Sequence, residues 1–157
     1  MEYTRFAINI LENDRKEILL LKRSLQLSLG PGLWGFPAGH IESDETPEAC
    51  SIRELREELG PDHRLVPLRK LGPVQDSFYG GKFEIFLFHY RWKRGKIELN
   101  NEHTVYAWVG REAYRNYEVV DGIDEDLDYF GIWPRSYLNK DKLPRWRRSL
   151  TNKRGQV

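Results

Sequence analysis

The stretch Gly39-His40-Ile41-Glu42-Ser43-Asp44-Glu45-Thr46-Pro47-Glu48-Ala49-Cys50-Ser51-Ile52-Arg53-Glu54-Leu55-Arg56-Glu57-Glu58-Leu59-Gly60 decides how the chain is read. Thr46 is a good N-cap, Pro47 suits the first helical position and Gly60-Pro61 supplies a stop, so a helix is expected over Pro47–Leu59. On a helix, Glu54, Glu57 and Glu58 stand at i, i+3 and i+4 and share one arc of the surface. Ile52, Leu55 and Leu59 fall on a different arc and are expected to anchor the helix to the core. Like charges at these spacings repel by roughly 0.2–0.5 kcal/mol per pair unless a cation offsets them. Magnesium prefers oxygen ligands and binds through a few carboxylates plus substrate phosphates, so it fits such a cluster better than zinc or copper. A glutamate stripe by itself is more often a solvated face, and the helix alone does not decide the matter.

The loop before the helix supplies the specificity. Gly39, five residues, Glu45, seven residues, Arg53-Glu54-Leu55, one residue, Glu57-Glu58, one residue and Gly60 match the Nudix box. Seven identities at fixed spacing arise by chance on the order of once in 10^8 starting points. The chain thus resembles the Nudix family over residues 33–60, where Leu33-Trp34-Gly35-Phe36-Pro37-Ala38-Gly39 is similar to the aromatic-Pro-Gly approach to the box. Two positions depart from the pattern: Pro61 stands where the family has an apolar residue, and Ala38 where many members have glycine. Neither removes a carboxylate.

The resemblance implies an α/β fold, a Nudix-type α/β/α sandwich with a mixed β-sheet. It also implies Mg2+-dependent hydrolysis of a diphosphate bond in a nucleoside diphosphate linked to another moiety, with Mn2+ as a substitute cation. By the same resemblance Glu57 and Glu58 are the principal metal ligands, and Glu54 is a further ligand or a base acting through water. Arg53 and Glu45 form a pair tying loop to helix, Gly39 permits a tight loop, and the carbonyl of Ala38 matches a backbone metal ligand. A carboxylate outside the box often completes the site, and Glu102 is the choice because residues 105–109 read as the strand that follows it. The competing reading of Glu102 is a solvated loop acid. His103 reads as structural, and Cys50 as a packing residue with no basic partner to make it a nucleophile.

Outside the box, strand character is expected at Phe6, Ile8 and Ile10, at residues 17–22, at 83–90 and at 104–109. Residues 83–90 are apolar on both faces, as in a central covered strand. Gly80-Gly81 reads as a hairpin turn, and weaker helical signals lie at 112–117 and 124–130. Strands on either side of a central helix point to a mixed sheet packed between helices.

At 157 residues the chain is long enough for one domain with its own core, and the reading is a single domain over 1–157, with 143–157 a flexible basic tail. The tail, 142–154, carries Lys142, Arg145, Arg147, Arg148, Lys153 and Arg154. With 25 basic and 24 acidic residues there is no global field toward nucleic acid or membrane. One cysteine excludes an internal disulfide framework, apolar runs are too short to span a bilayer, and a cytoplasmic location is expected.

Specificity stays open. Pro37-Ala38-Gly39 resembles some ADP-ribose and sugar-nucleotide hydrolases, whereas Trp34-Gly35-Phe36-Pro37 resembles nucleoside triphosphate hydrolases equally well. Tyr79 lies where some dinucleoside polyphosphate hydrolases carry a tyrosine. Phe78, Tyr79, Tyr106 or Trp133 could stack a base, although each is more simply core. The expected partner is a small nucleotide, with RNA the less favoured substrate; a homodimer is compatible with the sequence. Two rival functions are an RNA 5′-end pyrophosphohydrolase, motivated by the basic tail, and a non-catalytic nucleotide-binding regulatory domain.

Overall fold

Alternation along the first strand sets the layers. In the computed structural model, which describes residues 3–148, β1 (Thr4–Glu12) turns Ala7, Asn9 and Leu11 to one face and Ile8 and Ile10 to the other. The next strand, β2 (Ile18–Arg23), does the same with Leu19 and Leu21 against Ile18 and Leu20. Both faces are therefore apolar, and each is covered. One carries α1 (Pro47–Leu59), with Cys50, Leu55 and Leu59 packed on Ala7, Leu11, Phe88 and Tyr90. The other carries α2 (Ile123–Phe130), whose Ile123, Leu127 and Phe130 join Leu87, Tyr114, Trp133 and Leu138. The result is the expected α/β/α sandwich.

The sheet is mixed. Its strand order is β3-β2-β1-β6-β5, with β3 at Trp34–Gly35, β5 at His63–Gln75 and β6 at Phe83–Gly95. The β1 and β6 strands run parallel from Thr4 against Phe83 to Glu12 against Arg91, and the remaining pairings are antiparallel. The β4 strand (Ala38–His40) pairs with β1, and β7 (His103–Val109) pairs with β2. β1 and β2 meet at Glu12 and Ile18 only, while β4 takes the neighbouring edge of β1 at Phe6–Ile8.

Three expectations need correction. The long strand β5 is absent from the sequence reading because it is an edge strand, largely exposed, carrying Arg64, Arg69 and Lys70 together with Pro67 and a cis Gly72-Pro73 bond. Edges tolerate charge and proline where a central strand would not, so its pattern carries no alternation to read. The helical signal at 112–117 contracts to one 3-10 turn, Tyr114–Asn116, anchored by the buried ring of Tyr114. Finally, Ile52 is 57% exposed and does not anchor α1. The inward face instead includes Ser51, whose hydroxyl reaches Asn9 Oδ1 and Tyr90 Oη (2.6 Å to the latter), and these contacts set the helix rotation.

The caps follow expectation: Thr46 Oγ1 accepts from Ala49 N–H at 3.1 Å, and Gly60 closes α1 at φ 87° with its N–H donating to Arg56 O. The Gly80-Gly81 turn joins β5 to β6, with the Asp76 carboxylate accepting from the N–H groups of Tyr79, Gly81 and Phe83. Leu55→Ala is expected to cost about 2–5 kcal/mol in denaturant unfolding. Ile52→Ala should stay within about 0.5 kcal/mol. Equal costs at the two positions would contradict this placement of the helix.

In the basic segment, Lys142 Nζ donates to Val119 O at 2.6 Å and Leu143 is buried. Within α3 (Arg145–Arg148), Arg147 lies over the ring of Tyr129 and pairs with Asp128 at 2.7 Å. These residues are packed into the α2 side of the molecule. The side chain of Arg148, and Lys153 and Arg154, lie outside the described residues. Among the described residues no helix is long and apolar enough to cross a membrane.

Candidate active site

The acids of α1 meet the loop in two ways. Glu58 is buried and its Oε1 accepts from the N–H of Ala38 at 3.1 Å. Glu54 is packed against Gly39 so closely that a Cβ on residue 39 would overlap its carboxylate. The requirement for glycine there is close approach, since its φ lies outside the left-handed range. Glu102 sits in the exposed turn entering β7, and its carbonyl accepts from Ser24 N–H at 2.8 Å, which ties that turn to the end of β2. One ligand atom each from Glu58, Glu102 and His103 lie within 4.8 Å of one another. Glu57 is placed apart: its side chain is 52% exposed and held at 3.3 Å from Arg53 Nη1.

Arg53 organises the loop. Its Nε and Nη2 fork onto the two oxygens of Glu45 at 2.7 and 2.9 Å, Nη1 donates to Glu54 Oε1 at 2.9 Å, and Nη2 also donates to His40 O at 3.0 Å. A bidentate, charge-assisted pair holds geometry that a lone surface ion pair would not. The hydrogen bonds from Arg53, aided by the Glu42 N–H, pull the Glu45 carboxyl down to about 2. A carboxylate with a depressed pKa stabilises the fold above its unfolded value of about 4.3, and that contribution is lost as pH falls through the folded value. The stability gap between wild type and Glu45→Gln is therefore expected to be level from pH 8 to 5 and to shrink between pH 4 and 2. Urea melts across that range check it; a gap already gone at pH 5 would contradict the pairing.

The electrostatics of the cluster are those of a cation site. Burial pushes the Glu58 carboxyl well above the ordinary range, with Glu54 and Glu102 adding to the effect. Burial likewise raises Glu54. Burial and the nearby Arg23 push His103 down to about 4, and its buried Nδ1 has no hydrogen-bond partner. A neutral imidazole with an orphaned nitrogen beside two carboxylates is a donor set that fits a divalent cation, the oxygen ligands suiting Mg2+ or Mn2+. Cys50 belongs to packing: its Sγ donates to His40 O at 3.3 Å, and burial pushes the thiol up to about 12. The sequence reading gave it no basic partner, yet Arg53 Nη2 lies 3.6 Å away; the burial outweighs that contact.

These groups open onto a cleft of about 480 Å³ between the diverging strands and α2. Ala38, Gly39, Arg53, Glu54, Glu58 and Glu102 line one end. Arg23, also on the wall, donates from Nε to Leu29 O. Of the aromatics considered from sequence, Phe78 and Tyr79 line the cleft, Tyr106 is exposed on β7, and Trp133 is core, donating from Nε1 to Lys16 O. Sequence reasoning set His103 aside and did not single out Arg23. The one available signal was that His103 adjoins Glu102 at the start of a strand.

The family model described as the NUDIX domain matches residues 2–130. The chain belongs to the Nudix family. This Nudix chain is 46% identical over 119 residues to an RNA pyrophosphohydrolase of Acinetobacter baylyi, an alignment covering 64% of this chain and 69% of that relative. It is 44% identical over 59 residues to an RNA pyrophosphohydrolase of a Marinomonas species, covering 38% of this chain and 34% of the relative. The chain spans between 34% and 50% of the length of several curated relatives it matches. The crystal structure of a MutT protein from Methanosarcina mazei superposes with a TM-score of 0.64 at 24% identity, over 82% of this chain and 92% of that one, and shows the fold.

Proposed function

We propose that this Nudix hydrolase cuts a diphosphate bond in a small nucleotide, a nucleoside diphosphate linked to another moiety, with Mg2+ as its cation and Mn2+ as a substitute. The observation that carries the reading is the buried pair Glu54 and Glu58 facing Glu102 and His103 at one end of the cleft. Glu58, Glu102 and His103 would hold the cation, with Glu57 and the carbonyl of Ala38 as further ligands implied by the family. When bound, the cation supplies neutralisation of the diphosphate oxygens and an attacking water of lowered pKa.

The chain's own residues do the remaining work. Glu54, desolvated by burial and held by Arg53, is suited to take the proton from the attacking water. Arg53 keeps that carboxylate in place and, through Glu45, keeps the loop over it. Arg23 offers positive charge on the wall of the cleft, where phosphate oxygens would lie. No covalent intermediate is required.

Incubation with Mg2+ and a panel of nucleoside triphosphates, ADP-ribose, sugar nucleotides, dinucleoside polyphosphates and triphosphorylated RNA, with chromatography of the products, tests the reading and locates the cut. A second reading, RNA 5′-end pyrophosphohydrolase, is favoured by the similarity to the Acinetobacter baylyi relative of that name. Because Leu143 and Arg147 are packed, its test is removal of 149–157 alone. Unchanged activity on triphosphorylated RNA would take the end of the basic tail out of substrate binding. A non-catalytic nucleotide-binding role would require binding without turnover in either cation.

A further inference from the structure

Positive and negative charges nearly balance in this chain, yet they are not evenly placed. Residues 63–75, the whole of β5, hold three arginines or lysines, and residues 85–97, in β6 and the turn after it, hold four; neither stretch contains an aspartate or glutamate. Some of these cations are engaged. Lys70 pairs with Glu48 at 2.9 Å, Lys96 pairs with Glu98 at 3.5 Å, Arg69 lies over the ring of Phe130, and Arg91 donates to Asn13 O. Arg64, Lys93 and Arg94 are exposed and, among the described residues, pair with no acid.

These three cations sit together. β1 ends with Glu12 opposite Arg91, so residues 92–95 of β6 pair with β5 alone, and a two-stranded ribbon runs on past the end of β1. Within it Arg64 stands directly across from Arg94. Like charges in that register destabilise a strand pair. Protection of an edge accounts for charge on β5, but not for the same sign on β6 opposite it, nor for the exclusion of acids from both strands. A line of anions along the ribbon relieves the repulsion. The ribbon also carries aromatic rings: Trp92, across from Leu65, stacks on His63 with centroids 6.1 Å apart and meets Trp108 edge to face at 5.5 Å. Trp92 and Arg94, two residues apart on one strand, share a face. Cations that follow a phosphate backbone beside rings that receive bases are the recurring means of holding single strands.

We propose that the end of the β5–β6 ribbon is a docking surface for single-stranded RNA, with Arg64, Lys93 and Arg94 contacting phosphates and the His63–Trp92 stack beside the bases. Ile85 lines the cleft, and Arg94 lies further along the same strand, roughly 25–30 Å away at the rise of a β-strand. The surface is therefore separate from the candidate active site and strengthens binding of strands long enough to reach both. The choice of RNA rests on the second reading of function given above.

The test uses RNA with a 5′-hydroxyl end, which offers no diphosphate bond to the cleft, so docking is measured without hydrolysis. Fluorescence anisotropy of the full chain with a single-stranded RNA of roughly 16 nucleotides, over a range of KCl, is expected to show binding that weakens with a logarithmic salt slope of about −2, the value for three phosphate contacts. The double variant Arg64→Ala, Arg94→Ala is expected to bind roughly tenfold or more weakly near about 0.1 M KCl and to flatten the slope to about −0.7. Its Tm should equal or exceed that of wild type, because the repelling pair is gone. A duplex of the same length, whose bases are already stacked on one another, is expected to bind more weakly than the single strand. No binding of the single strand by wild type, unchanged affinity and slope in the folded double variant, or a duplex bound as tightly as the single strand overturns the proposal. Binding with the expected dependence alongside no turnover of triphosphorylated RNA would remove the second reading of function and support the docking surface.

Discussion

Glu58→Gln is expected to lower cation-dependent turnover on the order of 10^3-fold, the scale seen when one preorganised electrostatic partner is removed from a reacting centre. The same variant should be at least as stable as wild type in the absence of cation. Glu58 is 2% exposed beside Glu54, so its charge is desolvated and crowded by a like charge before any cation arrives. Glutamine has the same shape and keeps an oxygen to accept from the Ala38 N–H, now 3.1 Å from Oε1. What it loses is the charge. Thermal melts with and without Mg2+ and kcat at saturating Mg2+ should therefore move in opposite directions: a smaller Mg2+-induced rise in Tm, a collapsed kcat and an unharmed apo Tm. Glu57→Gln supplies the comparison, because the family resemblance gives Glu57 and Glu58 equal standing, whereas Glu57 lies half-exposed against Arg53. Turnover of Glu58→Gln within tenfold of wild type would remove it from the site.

Gly39→Ala is the second large effect. The added methyl would overlap the Glu54 carboxylate, which is wedged between Gly39 and Arg53 Nη1. Glu54 must then swing out or β4 must lift from β1. A displacement near 1 Å at a reacting group costs on the order of 10²-fold in rate. Overpacking of this kind costs roughly 1–3 kcal/mol. The double variant Gly39→Ala, Glu54→Ala separates the two effects: removal of the clashing carboxylate should restore stability while activity stays low. A Gly39→Ala protein with wild-type kcat would show that Glu54 has no fixed place in the reaction.

Much of this arrangement was readable because it is local. Thr46, Pro47 and Gly60 bound α1 through contacts within a few residues, and the Gly39 to Gly60 spacing identifies the motif. What failed depended on distant partners. The rotation of α1 is set by Ser51 against Asn9 and Tyr90, more than 35 positions away, so helical periodicity alone placed Ile52 on the wrong side. β5 was invisible because an edge strand needs no alternation. Glu102 is suggested by the strand that follows it, with a solvated loop acid as the competing reading, whereas nothing local shows that its neighbour His103 is buried beside Glu58.

A divalent cation held at the cluster on the C-terminal half of α1 is expected to drive hydrolysis of a diphosphate bond. This is tested most directly by stripping the protein of metal, adding a nucleoside diphosphate derivative in 18O-water with and without Mg2+, and following phosphorus products by mass and NMR. The expected result is cleavage into two phosphorylated products, one carrying a single 18O, only when Mg2+ is present. Equal cleavage with cation rigorously removed, or none across the substrate panel from folded protein in Mg2+ or Mn2+, would contradict it.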